Sequence, residues 1–82
     1  MSVVTLYGRP GCHLCDEARA GLEELRAGGP AFELVEVDIE SDGRLHRELL
    51  ELIPVVEVDG CVACELFLEP GAVLALLGTL SA

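Results

Sequence analysis

The spacing of apolar positions changes repeatedly along this chain, and each change marks an element. Val3 to Tyr7 is a short run rich in β-branched and aromatic residues that stops at Gly8, and it predicts a strand. From about Cys12 to Ala27, Leu14, Ala18, Leu22 and Leu25 recur every three or four residues, which is one face of a helix. Ala27-Gly28-Gly29-Pro30 ends it, with glycines free to take a left-handed cap and a proline beyond. Gly21 inside this helix costs up to about 1 kcal/mol relative to alanine, a cost that close packing against a sheet would explain.

Phe32 to Asp38 has a mixed apolar and acidic pattern and predicts a second strand. Ser41 or Asp42 can cap the next helix, whose apolar stripe is Leu45, Leu49, Leu50 and Leu52-Ile53. Pro54 forces a break, and Val55 to Val58 is a third strand. Asp59-Gly60 is a strong two-residue hairpin turn, after which Cys61 to Leu68 returns as a fourth strand. Pro70 then opens a last helix in its first turn, running to about Leu80 with Val73, Leu74, Leu76 and Leu77 facing inward. The order is βαβαββα. The first βαβ unit implies parallel strands with a right-handed crossover, and the hairpin adds antiparallel strands. The fold class is therefore α/β, a mixed four-stranded sheet with helices on both faces, in a single domain over residues 1–82.

Composition narrows the functional classes. With 82 residues, 51% of them apolar, the chain can fill one core, built mainly from Leu, Val and Ala because Tyr7, Phe32 and Phe67 are the aromatics. A domain this short buries only roughly 60–65% of its unfolded surface, so its stability margin is small. The formal net charge is −10, and all five cations are arginines. Such a surface repels nucleic-acid phosphates and anionic lipid, so neither nucleic acid nor membrane is expected as a partner. The amino-terminal Met-Ser-Val-Val-Thr-Leu-Tyr reads as an immediate strand and not as a signal peptide, and Ala72 to Leu77 is too short to span a bilayer. A cytoplasmic protein is expected. In that reducing compartment four cysteines point to thiol chemistry or metal binding in preference to structural disulfides.

Cys12 and Cys15 stand where the first strand hands over to a helix, the placement of a dithiol redox motif. The thiolate is the nucleophile, and the unpaired N–H groups and dipole of a helix start favour an anion. Arg9 and His13 can add positive charge nearby, while Asp16 and Glu17 partly offset it. His13 is either a donor to the thiolate or simply the exposed second residue of the motif. Cys15, one turn on, is within disulfide reach of Cys12. Cys12 would attack a substrate disulfide and Cys15 would resolve the mixed disulfide.

Thr5-Leu6-Tyr7-Gly8-Arg9-Pro10-Gly11-Cys12-His13-Leu14-Cys15, the Ile53-Pro54-Val55-Val56-Glu57-Val58-Asp59-Gly60 segment and the element order together resemble glutaredoxin-like proteins of the thioredoxin superfamily, over nearly the whole chain. The resemblance implies a cis-proline at Pro54 facing the cysteines, a substrate-pairing backbone at Ile53, a basic residue at Arg9 that attracts the glutathione carboxylate, and an aromatic at Tyr7. No bound cofactor or metal is implied. The implied partners are a disulfide-containing protein or a glutathione mixed disulfide, with glutathione as possible co-substrate and either glutathione or a reductase as electron donor. A monomer is expected. His13-Leu14 replaces the Pro-Tyr common in dithiol glutaredoxins. Cys64-Glu65-Leu66-Phe67-Leu68-Glu69-Pro70-Gly71 stands where many relatives carry Gly-Gly-x-Asp, and Glu69 sets a negative charge where a glutathione carboxylate would dock. That weighs against efficient glutathione use.

Cys61 and Cys64 repeat the spacing. On a strand, residues three apart lie roughly 10 Å apart and point to opposite faces, which does not suit a shared metal. A two-residue turn at Asp59-Gly60 pairs Cys61 with Val58 and Cys64 with Val55. Cys64 then sits at the end of the sheet near Pro54, either as an auxiliary thiol or, with Cys61, as a small buried hydrophobe. His46, between Arg44 and Arg47, reads as part of a solvated helix face. The alternatives to an oxidoreductase are a zinc or iron–sulfur module using Cys12 and Cys15, and a non-catalytic interaction domain.

Overall fold

Val4 and Leu6 alternate onto one face of the first strand and are almost wholly buried there, and the rest of the molecule is arranged about that strand. The computed structural model describes residues 2–81, so Met1 and Ala82, the ends of the expected domain, lie outside the described residues. The chain runs β1 (Ser2–Gly8), α1 (His13–Gly28), β2 (Phe32–Asp38), a 3-10 turn (Ile39–Ser41), α2 (Gly43–Leu49), β3 (Val55–Val58), β4 (Cys61–Glu65) and α3 (Pro70–Ser81). The sheet order is β2-β1-β3-β4. β2 lies parallel to β1, and β3 and β4 follow antiparallel. This is the expected α/β architecture.

The main core gathers Val4 and Leu6 of β1, Val56 and Val58 of β3 and Cys64 of β4 with Ala18 and Leu22 of α1 and Val73 and Leu77 of α3. A second, smaller cluster holds Cys15, Ile39 and Ile53, against which Tyr7, Leu45 and Leu49 pack. Tyr7 alternates to the sheet face opposite Leu6, so α2, through Leu45 and Leu49, serves that other face. Gly21 lies against the Leu68 side chain, in the segment between β4 and α3, and not against the sheet.

Asp59 and Gly60 have φ of 50° and 88°, the left-handed pair that a tight hairpin needs. Asp59 also clasps the start of β1: its N–H donates to the Val3 carbonyl at 2.8 Å, and its Oδ1 accepts from the Val3 N–H at 2.8 Å.

The structure corrects several expectations. β4 stops at Glu65, not Leu68, because Leu66 takes a φ of 73° and turns the backbone out of the ladder. Cys61 pairs with Val58 as expected, but Cys64 pairs with Val56, not Val55. Ala63 has no counterpart on β3, and this extra residue, a β-bulge, shifts the register by one. Asp42, not Ser41, caps α2, its Oδ1 accepting from the N–H groups of Arg44 and Leu45. The Ser41 hydroxyl instead donates to the Asp38 carbonyl at 2.6 Å. Leu14 and Leu74 are exposed: each is adjacent to a buried residue, Cys15 and Val73, and one residue is about 100° around a helix. Leu50 lies past the last turn of α2 and is exposed as well.

Candidate active site

A tight turn delivers Cys12. Arg9-Pro10-Gly11-Cys12 closes with the Cys12 N–H donating to the Arg9 carbonyl at 3.4 Å, and Gly11 has φ 77°. Proline at the second position and a left-handed glycine at the third are what a type II turn requires. Cys12 emerges as the N-cap of α1. Its carbonyl accepts from the Asp16 N–H at 3.1 Å, and its Sγ accepts from the Cys15 N–H at 3.2 Å. The sulfur thus occupies the place that a serine or aspartate oxygen takes at an ordinary helix start. It faces donors that have no partner within the helix, at the positive end of the dipole.

Cys12 and Cys15 are joined as a disulfide, with Cα atoms 5.2 Å apart. Cys12 is partly exposed, whereas Cys15 is buried among Ile39, Ile53, Tyr7 and Leu49. Gly8 makes the seat possible, because a Cβ there would lie 3.0 Å from both Cβ and Sγ of Cys15. The pair therefore divides into one sulfur at the surface and one beneath it.

The Ile53–Pro54 peptide bond is cis, and Pro54 is fully buried. Ile53 packs in the same cluster as Cys15. Its N–H is already engaged, donating to the Leu49 carbonyl at 3.0 Å, so its carbonyl is the group left for pairing with another chain. Tyr7 borders the cluster, and its hydroxyl donates to Glu57 Oε1 at 3.2 Å. Burial, then the Glu57 charge and this hydrogen bond, push the phenol above its ordinary value.

The basic residues flanking the cysteines each face a carboxylate. Arg9 lies 3.9 Å from Glu40, and His13, highly exposed, lies 3.4 Å from Glu17. Arg19 spans Asp16 at 3.4 Å and Glu36 at 3.6 Å. An open cavity of about 290 Å³ lies beside Cys15, with Arg9, Arg19, Asp16, Glu36 and Asp38 also on its walls. Glu40 and Glu36 escaped sequence reasoning, since their partners are distant in the chain. Gly8 carried a legible signal: a glycine closing a strand just before the motif fits a close approach.

The other cysteines lie apart. Cys64 belongs to the main core, not to the cluster around Cys15, and its Sγ accepts from the Glu69 N–H at 3.5 Å. Burial pushes its thiol above the ordinary range. The Glu69 N–H pulls the other way, and the Glu69 carboxylate adds to the rise. Cys61 is exposed at the hairpin. Among the described residues, no group of three or more His, Cys, Asp or Glu side chains is placed to share a metal ion. Nor is any described helix long and apolar enough to cross a membrane.

Comparison with known proteins agrees with this fold. The solution structure of protein Ne2328 from Nitrosomonas europaea is 31% identical, with a TM-score of 0.79, over 92% of this chain and 89% of that one. Oxidised thioredoxin from Plasmodium falciparum shares the fold at 18% identity, with a TM-score of 0.63, over 99% of this chain and 82% of that one. A structure described for the thiol resolving mechanism of a yeast mitochondrial 1-Cys peroxiredoxin via glutathione/thioredoxin systems does so at 17% identity, with a TM-score of 0.65, over 95% and 77%. No curated protein matches the chain. The model of the glutaredoxin-like domain (DUF836) matches residues 3–77. With a thioredoxin-like sheet, a paired Cys12 and Cys15 at a helix start and that match over nearly its whole length, the chain belongs to the glutaredoxin-like domain family.

Proposed function

We propose that this protein is a dithiol thiol–disulfide oxidoreductase in which Cys12 is the nucleophile and Cys15 the resolving thiol. The observation that carries the reading is the position of Cys12: partly exposed, capping α1, its sulfur accepting a backbone N–H and paired with the buried Cys15. In the reduced protein the Cys12 thiolate attacks one sulfur of a substrate disulfide. A mixed disulfide forms, and the other substrate sulfur leaves as a thiolate that takes up a proton. Cys15 then loses its proton and attacks the Cys12 sulfur, which closes the Cys12–Cys15 disulfide and frees the second substrate thiol. The substrate gains two electrons and two protons, and the protein dithiol loses them.

Backbone amides are the main support for the thiolate in this reading, because Arg9 and His13 are each offset by a carboxylate. Arg9 and His13 border the substrate, and the Ile53 carbonyl beside Pro54 pairs with its backbone. Cys64, held in the core by Glu69, is a packing residue in the resting fold. The protein works as a cytoplasmic monomer without a bound cofactor, and a glutathione pool or a dithiol reductase returns the electrons.

The test is single-turnover reduction of a small neutral disulfide by the pre-reduced protein. Cys12→Ser should abolish thiol release. Cys15→Ser should stall at a mixed disulfide on Cys12 that mass spectrometry detects. Equal reactivity of Cys12→Ser and the parent protein would refute the assignment. Regeneration by glutathione, compared with a thioredoxin-type reductase, identifies the donor.

A further inference from the structure

Apolar side chains stand in water just past β4, at the end of the sheet where Pro54 leads into β3. Leu66 and Phe67 are 48% and 56% exposed. The Leu66 N–H donates to the Leu52 carbonyl at 2.9 Å, which ties this segment to the residue directly before Ile53 and Pro54. Ile53 in turn packs in the cluster that contains Cys15 and touches Cys12. Leu14, inside the motif itself, is also half exposed.

The backbone makes this arrangement costly. Leu66 has a φ of 73°, in the left-handed region where a bulky side chain is an outlier and glycine is at ease. Nothing in the packing repays it, since the side chain is not part of either core cluster. The backbone of Leu66 serves the turn and the bond to Leu52, but its leucine side chain is not used by the core, and strain kept for such a side chain points to use at a site.

Charge indicates what would use it. Glu65 and Glu69 bracket the segment in sequence. The basic residues next to the motif, Arg9 and His13, already face Glu40 and Glu17. An anionic tripeptide such as glutathione meets acidic groups and basic groups that already face carboxylates here, and it has no large apolar side chain to place on Leu66 and Phe67. A basic segment with an apolar residue matches both features.

We infer that Leu66 and Phe67 form a docking ledge for a disulfide-bearing polypeptide with an apolar side chain next to its half-cystine and basic residues around it. This rests on the dithiol reading above and names its substrate class. The ledge holds the apolar side chain while Cys12 attacks the adjacent disulfide. The mixed disulfide with the peptide forms, the outgoing thiol leaves, and Cys15 closes on Cys12 to release the peptide thiol. Pre-reduced protein supplies both electrons.

The experiment is stopped-flow single turnover on four substrates: bis(2-hydroxyethyl) disulfide, glutathione disulfide, and mixed disulfides of a Leu/Arg-rich and a Leu/Glu-rich peptide. The Leu/Arg peptide should react roughly tenfold faster than glutathione disulfide, the effect of seating one apolar side chain. It should also outpace the Leu/Glu peptide, by a margin that shrinks with added salt. Leu66→Gly and Phe67→Ser should each lower the rate on the Leu/Arg peptide several-fold more than the rate on the small disulfide. Leu66→Gly, freed of its backbone cost, should melt no lower than the parent, so its loss cannot be misfolding. Reaction with the small disulfide but no preference for the Leu/Arg peptide, or a preference unmoved by both variants, overturns the ledge alone. Failure to reduce any disulfide overturns the oxidoreductase reading and the ledge with it.

Discussion

At the scale of single residues, the site depends on what position 8 lacks. A methyl group there would sit 3.0 Å from both Cβ and Sγ of Cys15, atoms fixed by the disulfide and by the cluster around them. Gly8→Ala should therefore destabilise the oxidised protein by about 1–3 kcal/mol, the usual cost of overpacking. On a domain of this size each kcal/mol moves the melting temperature by roughly 4–8 °C, which calorimetry resolves. The sequence made Cys12, Cys15 and Pro54 legible, because the chemistry demands those residue types at that spacing. Leu66 was hidden. No glycine or asparagine marks it as left-handed, and its role as a turn out of β4 follows from tertiary contacts, chiefly the hydrogen bond to Leu52.

Among the elements, α2 is short and lightly buried yet packs against the site. It spans Gly43–Leu49, none of its residues is fully buried, and it places Leu45 and Leu49 against the Cys15 cluster. Its start depends on Asp42, whose Oδ1 accepts from Arg44 and Leu45 N–H at 2.8 and 3.3 Å. Asp42→Ala should cost about 1 kcal/mol in chemical denaturation and speed amide exchange through α2. Ser41→Ala, at the other position the sequence offered as a cap, should show less than half that loss. Helix starts and the Asp59-Gly60 turn were readable because particular residues satisfy orphan backbone groups or adopt left-handed dihedrals. The end of β4 and the pairing of Cys64 were not, since counting back from the turn assumes an uninterrupted ladder and nothing in Cys61-Val62-Ala63-Cys64 announces the added residue.

For the molecule as a whole, alkaline pH is the stress its titrating groups foresee. Cys64 and Tyr7 both hold their protons more tightly in the folded state, chiefly because they are buried. In the unfolded chain the thiol ionises near its ordinary value of about 8.5, so above that pH the unfolded state binds fewer protons and gains population. Stability of the oxidised protein should thus be level up to about pH 8 and fall as pH rises further, from the unfolded-state values toward the raised folded-state values of Cys64 and Tyr7. Cys64→Ala should flatten the first part of this decline when urea midpoints are compared across pH. A net charge of −10 sharpens the risk, because each further ionisation adds to repulsion within an already anionic domain.

The unpaired Ala63 has an effect that reaches past its own register. β4 is an outer strand of the sheet, and it exposes Val62 next to the free thiol of Cys61. A straight strand so decorated would invite a neighbouring chain to add on, hydrogen bond by hydrogen bond. The irregularity at Ala63 bends that border and spoils the even row of donors and acceptors a newcomer would need. A single surplus residue that hid Cys64 from sequence arithmetic thereby also helps keep one copy of the molecule from zipping onto the next.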